Sequence, residues 1–172
     1  KEDDIFRVIS VGGLTLRKGS RYLLQAFKEL NLPDAELWHI GSVNPEMQPF
    51  IDQYASDKVT FHGHKPQAEL FKYYSQGSVF ALMSIEEGMA MVQCQAMACG
   101  LPLICSTKTG GADLIGADEK AGYVVPIRDV EALKSRILYL YQNRELCRAM
   151  GQAAKQRISS GLTWADYGNR YA

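Results

Sequence analysis

The chain has no surplus of charge: 19 Lys and Arg stand against 19 Asp and Glu, a formal net charge of zero at pH 7. Without a basic excess there is no electrostatic footprint for nucleic acid, which is excluded as an expected partner. Long apolar runs are missing as well. Val79 to Met83 and Leu101 to Cys105 are strand-sized, far below the roughly 20 residues of a membrane-spanning helix. Any membrane contact of a longer parent chain is therefore expected through a part outside these residues. Cysteine is sparse: Cys94, Cys99, Cys105 and Cys147 form no CxxC pair, which argues for a reducing, cytoplasmic setting over a disulfide framework. There is no internal repeat and no low-complexity stretch. Lys1-Glu2-Asp3-Asp4 reads as a cut or a linker rather than a targeting signal. What is present is ordinary for one globular domain: 172 residues, 47% apolar and 22% charged.

Short β-rich runs alternate with helical patterns, the signature of a parallel α/β sheet. The expected strands are Phe6 to Val11, Glu36 to Gly41, Val59 to Gly63, Ser78 to Met83, Leu103 to Cys105 and Tyr123 to Val125. The expected helices are Ser20 to Leu30, about Glu46 to Tyr54, Gln67 to Ser75 and Met91 to Cys99. From Val130 the pattern is helical, with breaks near Asn143 and Gly161. Gly100 and Pro102 give the Met91 helix a stop with a mechanism: glycine takes the left-handed cap and proline cannot continue the helix. About six strands with helices on both faces make a doubly wound, Rossmann-like sheet, which binds ligands outside the carboxyl ends of its strands. Chemistry is therefore sought in the loops Gly12 to Gly19, Gly41 to Glu46, Gly63 to Pro66, Ser84 to Ala90 and Ser106 to Ala112.

Two of these loops carry groups suited to a sugar nucleotide. In Gly12-Gly13-Leu14-Thr15-Leu16-Arg17-Lys18-Gly19-Ser20 the glycines admit close backbone approach, and the next helix offers amides and a positive dipole end. Arg17 and Lys18 add positive charge for phosphate. The loop is neither a Walker A sequence nor GxGxxG, and it also fits a plain strand-to-helix turn with two solvated basic residues. In Ser84-Ile85-Glu86-Glu87-Gly88-Met89-Ala90 an acidic pair precedes a helix start. That is a welcome place for carboxylates in any protein, and also a place where a carboxylate can hold hydroxyls while amides face phosphate.

The stretch Glu87-Gly88-Met89-Ala90, followed by Gln95-Ala96-Met97-Ala98-Cys99-Gly100-Leu101-Pro102, resembles the E-G-F-G-x-x-x-x-E-A-M-A-x-G-x-P motif of retaining GT-B glycosyltransferases of the group 1 or family 4 type. The likeness runs along nearly the whole chain. Val11-Gly12-Gly13-Leu14 with Lys18-Gly19 is similar to V-G-R-L…K-G, and Phe61-His62-Gly63-His64 to an F-x-G strand end. Thr109 to Ile115 resembles a small-residue loop leading to an acidic residue, Gly122 to Pro126 resembles G-x-x-V-P, and Thr163-Trp164 an S/T-W helix start.

This resemblance implies one half of a GT-B fold, residues 1–172 being a single donor-binding domain with the N-terminal acceptor domain absent. It implies retaining hexosyl transfer from a nucleotide-diphosphate sugar to an acceptor, in a setting of polysaccharide biosynthesis. By the same likeness Lys18 contacts the donor diphosphate, Glu87 contacts sugar hydroxyls, and these two are the candidate catalytic residues. Gly12, Gly13, Gly88 and the amides of Met89, Ala90 and Met91 line the diphosphate, and Arg17, beside Lys18, stands as a partial substitute for the arginine missing at Gly13. His64 and Lys65 lie where the base is held, and Gln95 where the ribose is held. No cofactor and no metal are implied, since no DxD-like pair is present. Two positions depart from the pattern: Gly13 replaces the usual arginine and Gln95 the second glutamate, an acceptor without the charge that roughly doubles such a bond. These departures keep open a non-catalytic binding module with a decayed donor site. A phosphorylase-like GT-B enzyme is the other alternative, whereas a nicotinamide-dependent enzyme is disfavoured by the absent GxGxxG.

Other signals are set aside. His62 and His64 share one face only if the strand stays regular, and a metal site would need a third ligand. His39 reads as a core histidine with its hydrogen bonds satisfied. Ser106 and Thr107 lack a nucleophile-elbow setting. Tyr139-Leu140-Tyr141 reads as a packing helix, and Glu131 with Lys134 as a surface helix pair.

Overall fold

A computed structural model describes residues 3–160. Six strands, β1 (Phe6–Val11), β2 (Ala35–Ile40), β3 (Val59–Phe61), β4 (Val79–Leu82), β5 (Leu103–Ser106) and β6 (Gly122–Val125), form one sheet. Their order is β3-β2-β1-β4-β5-β6 and every pairing is parallel. The helices are α1 (Ser20–Leu30), α2 (Gln48–Tyr54), α3 (Leu70–Tyr74), α4 (Met91–Ala98), α5 (Gly111–Ile115), α6 (Val130–Gln142) and α7 (Arg144–Ser159).

Alternation along each strand divides the core in two. Phe6, Val8, Val79, Ala81 and Ile104 pack beneath Leu23, Leu24 and Phe27 of α1 and Leu133, Ile137 and Leu140 of α6. Ile9, Val11, Phe80, Leu82, Leu103 and Cys105 face Leu70 and Tyr74 of α3, Ala96 and Met97 of α4, and Leu114 and Ile115 of α5. The chain builds outward from β1 to β3, then crosses back to β4 on the other side of β1. The two loops leaving β1 and β4 are thereby adjacent at the reversal point of the sheet.

Several boundaries moved for local reasons. β3 stops at Phe61 because Gly63 is left-handed, with φ 69°; the break also ends the alternation that would have put His62 and His64 on one face. The helices expected from Glu46 and Gln67 open as single 3-10 turns, Pro45–Met47 and Gln67–Glu69, before α2 and α3 begin. Helix α5 stands where only a loop was expected. The stop after α4 follows the sequence, with Leu101 N–H donating to Ala96 and Gly100 N–H to Met97. Glu131 and Lys134 are more than a surface pair, because the Lys134 ammonium also reaches Glu29 at 2.9 Å and ties α6 to α1. Thr163-Trp164 and the break at Gly161 lie outside the described residues.

His39 is buried as expected but poorly satisfied: among the described residues neither ring nitrogen makes a well-formed hydrogen bond, the backbone of Gly12 offering only a weak one. Burial pulls its pKa from 6.5 down to about 4, the neighbouring Gly12 backbone opposing. An exposed histidine titrates near ~6.5, so below that pH the unfolded chain gains a proton that the folded chain refuses. Stability fully present above about pH 6.5 is lost as pH falls toward about 4, on the order of 3 kcal/mol in all. His39→Leu removes both the poorly bonded nitrogens and this titration, so its melting temperature should fall less than that of the wild type between pH 7 and pH 4.5. Parallel falls would contradict the assignment.

Candidate functional site

The first loop is held out from the sheet by its neighbour. Leu14 N–H donates to Ser42 O at 2.8 Å and Asn44 N–H to Leu14 O at 3.1 Å, which extends β1–β2 pairing past the strand ends. Glu46 accepts from Leu16 N–H at 3.1 Å. Gly12 and Gly41 are close enough that a Cβ on Gly41 would lie 1.7 Å from the Gly12 carbonyl oxygen. Gly13 differs: its φ is not left-handed, and a Cβ there would meet nothing nearer than Thr15 Cγ2 at 3.6 Å.

The loops after β1 and β4 are stitched together. Ile85 N–H donates to Arg17 O, and Arg17 Nη1 to Glu86 O, both at 2.9 Å. Lys18 Nζ donates to Glu87 Oε2 in a direct ion pair, with Arg17 Nη1 3.7 Å from the same oxygen. Both partners of the pair are largely covered, Lys18 at 19% and Glu87 at 16% side-chain exposure, whereas Arg17 is 57% exposed. Beside them α4 begins at Met91, and the residue before it, Ala90, is extended and supplies no side-chain cap. The first amides of α4 therefore stay uncapped while its dipole adds positive potential. Gly88, Met89 and Met91 are exposed and Ala90 is buried.

The remaining expected residues are more scattered. Gln95 lies one turn into α4, half-buried, and its Oε1 accepts from Tyr74 Oη at 3.3 Å. Burial pushes the Tyr74 hydroxyl far up, so it stays a donor. Gln95 borders an apolar recess of about 620 Å³ between α3 and α4, also lined by Gln67, Phe71 and Cys99. His64 is exposed and Lys65 half-buried at the end of β3, two strands from β1, and neither meets the Lys18–Glu87 pair. His62 packs instead against Trp38 and Tyr73, with ring centroids 4.7 and 5.0 Å away. Burial, and secondarily Lys65, lowers its pKa, with Glu36 opposing.

The sequence did not reveal what lies beneath these loops. Ser84, Gln93, Ser106 and Thr109 are fully buried and linked by hydrogen bonds. The available signal was a polar residue in or at the end of an apolar run, Ser84 after Val79 to Met83, Ser106 after Leu101 to Cys105 and Gln93 in the first turn of α4, whereas Thr109 sits in a polar loop and gave none. Among the described residues no group of three or more His, Cys, Asp or Glu is placed to hold a metal ion, and no helix is long and apolar enough to cross a membrane. None of the four cysteines is in a disulfide.

A six-stranded parallel sheet whose two reversal-point loops meet over a helix start is the Rossmann-like half of a GT-B fold. The chain belongs to the glycosyl transferases group 1 family, whose profile matches residues 1–157. It is 30% identical over 179 residues to a GDP-mannose-dependent alpha-(1-6)-phosphatidylinositol monomannoside mannosyltransferase of Mycolicibacterium smegmatis, covering 96% of this chain and 46% of that one. It is also 30% identical over 174 residues to the amylovoran biosynthesis glycosyltransferase AmsD of Erwinia amylovora, covering 96% and 47%. Sucrose-phosphate synthase from Thermosynechococcus elongatus superposes with a TM-score of 0.86 at 27% identity, over 98% of this chain and 45% of that one. The chain thus spans less than half the length of these relatives.

Proposed function

We propose that this chain is the donor domain of a retaining hexosyltransferase and binds a nucleotide-diphosphate sugar at the β1–β4 reversal point. The observation that carries the reading is the meeting of Lys18 and Glu87 beside the uncapped start of α4. An ammonium, uncapped amides and a helix dipole suit a diphosphate, and the adjoining carboxylate suits sugar hydroxyls. In the transfer, the bond from the anomeric carbon to the diphosphate oxygen breaks and one from the acceptor oxygen forms on the same face, the acceptor's hydroxyl proton passing to the departing diphosphate. Lys18, Arg17 and the amides of Met89, Ala90 and Met91 stabilise the negative charge left on the diphosphate. Glu87 orients the sugar, Gln95 the ribose, and the His64–Lys65 loop borders the base; no metal enters the scheme.

The acceptor and the other wall of the cleft are assigned to a second, N-terminal domain, in keeping with relatives more than twice as long. Polysaccharide biosynthesis in the cytoplasm is the setting we propose, with any membrane contact made outside this domain. The isolated chain is expected to bind nucleotide and turn over negligibly.

The test is thermal melting with UDP, GDP and ADP, set against inorganic phosphate and glucose 1-phosphate. One nucleoside diphosphate should raise the melting temperature most. A preference for phosphate or the sugar phosphate would favour a phosphorylase-like enzyme instead.

The second reading, a non-catalytic module with a decayed donor site, is favoured by Gly13 and by the engagement of Gln95 Oε1 with Tyr74. The open space at Gly13 makes the two readings separable, since Gly13→Arg adds a side chain without backbone conflict. In a decayed site it should tighten nucleoside diphosphate binding about tenfold or more, as a charge-assisted bond allows. In a site that already relies on Arg17 and Lys18 the gain should stay below about threefold, the result expected here.

A further inference from the structure

Beneath the Lys18–Glu87 pair runs a buried chain of polar groups that the donor-site reading leaves without a task. Ser84 Oγ donates to Glu87 Oε2 at 3.3 Å. The Ser84 carbonyl in turn accepts from the hydroxyl of Ser106, the last residue of β5. Thr109 Oγ1 donates to Ser106 O at 2.9 Å and accepts from Gly111 N–H at 3.2 Å. Gln93 Nε2, from inside α4, donates to Thr109 O at 2.7 Å. Ser84, Gln93, Ser106 and Thr109 are each no more than 1% exposed. Gln93 Oε1 is the one side-chain polar atom of the set without a partner among the described residues; the rest are bonded, and a connected set holds its members in one arrangement.

The surroundings pack closely on this chain. A Cβ on Gly111 would lie 2.3 Å from Cys105 Sγ and 2.7 Å from Gln93 Oε1. A Cβ on Gly110 would come within 3.2 Å of Met89 Cα. The turn after β5 therefore abuts both α4 and the loop that carries Glu87. All the described contacts to the Glu87 carboxylate, from Lys18, Arg17 and Ser84, fall on Oε2. Among the described residues Oε1 has no protein partner.

We propose that Ser84, braced by Ser106, Thr109 and Gln93, is a positioning residue that holds Glu87 by one oxygen and keeps the other for a hydroxyl of the donor sugar. The proposal rests on the donor-site reading above. It separates two recognitions within the site: Lys18 and the α4 amides serve the diphosphate, and the buried brace serves the sugar. At 3.3 Å the Ser84 bond is long for a hydroxyl donor, so it steers the carboxylate and does not clamp it. Ser84 is covered and touches the ligand only through Glu87, so its loss should change sugar recognition and leave nucleotide recognition in place.

The test is calorimetric titration of the chain with UDP and UDP-glucose, GDP and GDP-mannose, and ADP and ADP-glucose. The proteins are the wild type, Ser84→Ala, Ser84→Thr and Ser106→Ala. For the pair that binds, Ser84→Ala should lower the affinity for the nucleotide sugar roughly fivefold to tenfold, as expected for one hydrogen bond to a charged group. Its affinity for the nucleoside diphosphate should stay within about twofold. Ser84→Thr keeps the hydroxyl and should restore the ratio, while Ser106→Ala, one bond further from Glu87, should shift it in the same direction. An unchanged ratio in both alanine variants would overturn the proposal, as would an equal loss for both ligands, which means general loosening. Wild-type chain that binds none of the diphosphates would overturn the donor-site reading and this proposal together. Diphosphate binding with an unmoved ratio would overturn this proposal alone.

Discussion

Replacing Lys18 with alanine is expected to weaken nucleoside diphosphate binding about a hundredfold or more, on the order of 3 kcal/mol. Two losses combine. The ammonium that would bond to the diphosphate is gone, and charge-assisted bonds are about twice as strong as neutral ones. Glu87, 16% exposed and paired with Lys18 in the wild type, is left as a carboxylate beside an anionic ligand, with only Arg17 at 3.7 Å and the Ser84 hydroxyl near it. Like charges at such range repel, and partial burial strengthens the effect. The double variant Lys18→Ala/Glu87→Ala should therefore bind a nucleoside diphosphate more tightly than Lys18→Ala alone. Calorimetric titration of the three proteins decides it. Single and double variants of equal affinity would mean that Glu87 lies too far from the diphosphate to repel it, and the proposed arrangement would be wrong.

Gly19→Ala is expected to destabilise the fold strongly, by about 4 kcal/mol or more. Gly19 is left-handed, with φ 64°, which costs a non-glycine residue about 1 kcal/mol. A Cβ there would also lie 1.8 Å from the Met83 carbonyl oxygen and 2.6 Å from its carbon. Both atoms belong to the backbone just beyond β4, so no side chain can turn away. The loop before α1 must lift from the end of β4, taking Arg17 and Lys18 away from Glu86 and Glu87. Urea unfolding should show the loss of stability, and nucleotide binding should fall with it. A variant within about 1 kcal/mol of wild type would show that the loop is looser than this contact implies. The contrast with Gly13 is direct, since the same loop accepts a side chain six positions earlier.

The middle of the sheet was legible because β4 and β5 are short, mostly apolar runs buried on both faces, as central parallel strands are, and because Gly and Pro punctuate the chain. The Gly100–Pro102 stop illustrates this: one local rule fixed the end of α4. What was missed depends on neighbours distant in sequence. Helix α5 is five residues long, too short for a period, and is held by the sheet edge and α7. The poorly satisfied ring of His39 depends on neighbours from other strands and loops, among them Phe61 and the Gly12 backbone, which alternation along β2 cannot report. At the candidate site, the pairing of Lys18 with Glu87 across 69 residues follows from the strand order, and the motif led to both ends of it. The buried Ser84–Ser106–Thr109–Gln93 chain was not legible, because a hydroxyl or amide side chain looks the same in sequence whether it braces a distant loop, satisfies its own backbone or faces water.

The most direct test of the central claim is amide NMR of the 172-residue chain, titrated with the nucleoside diphosphate that raises its melting temperature most. Shift changes should concentrate on Gly12 to Gly19 and Glu87 to Gln95, with a smaller set at His64 and Lys65. Shifts gathered at the opposite ends of the strands would contradict the claim, for example around the recess of about 540 Å³ lined by Phe6, Gly77, Arg144 and Arg148.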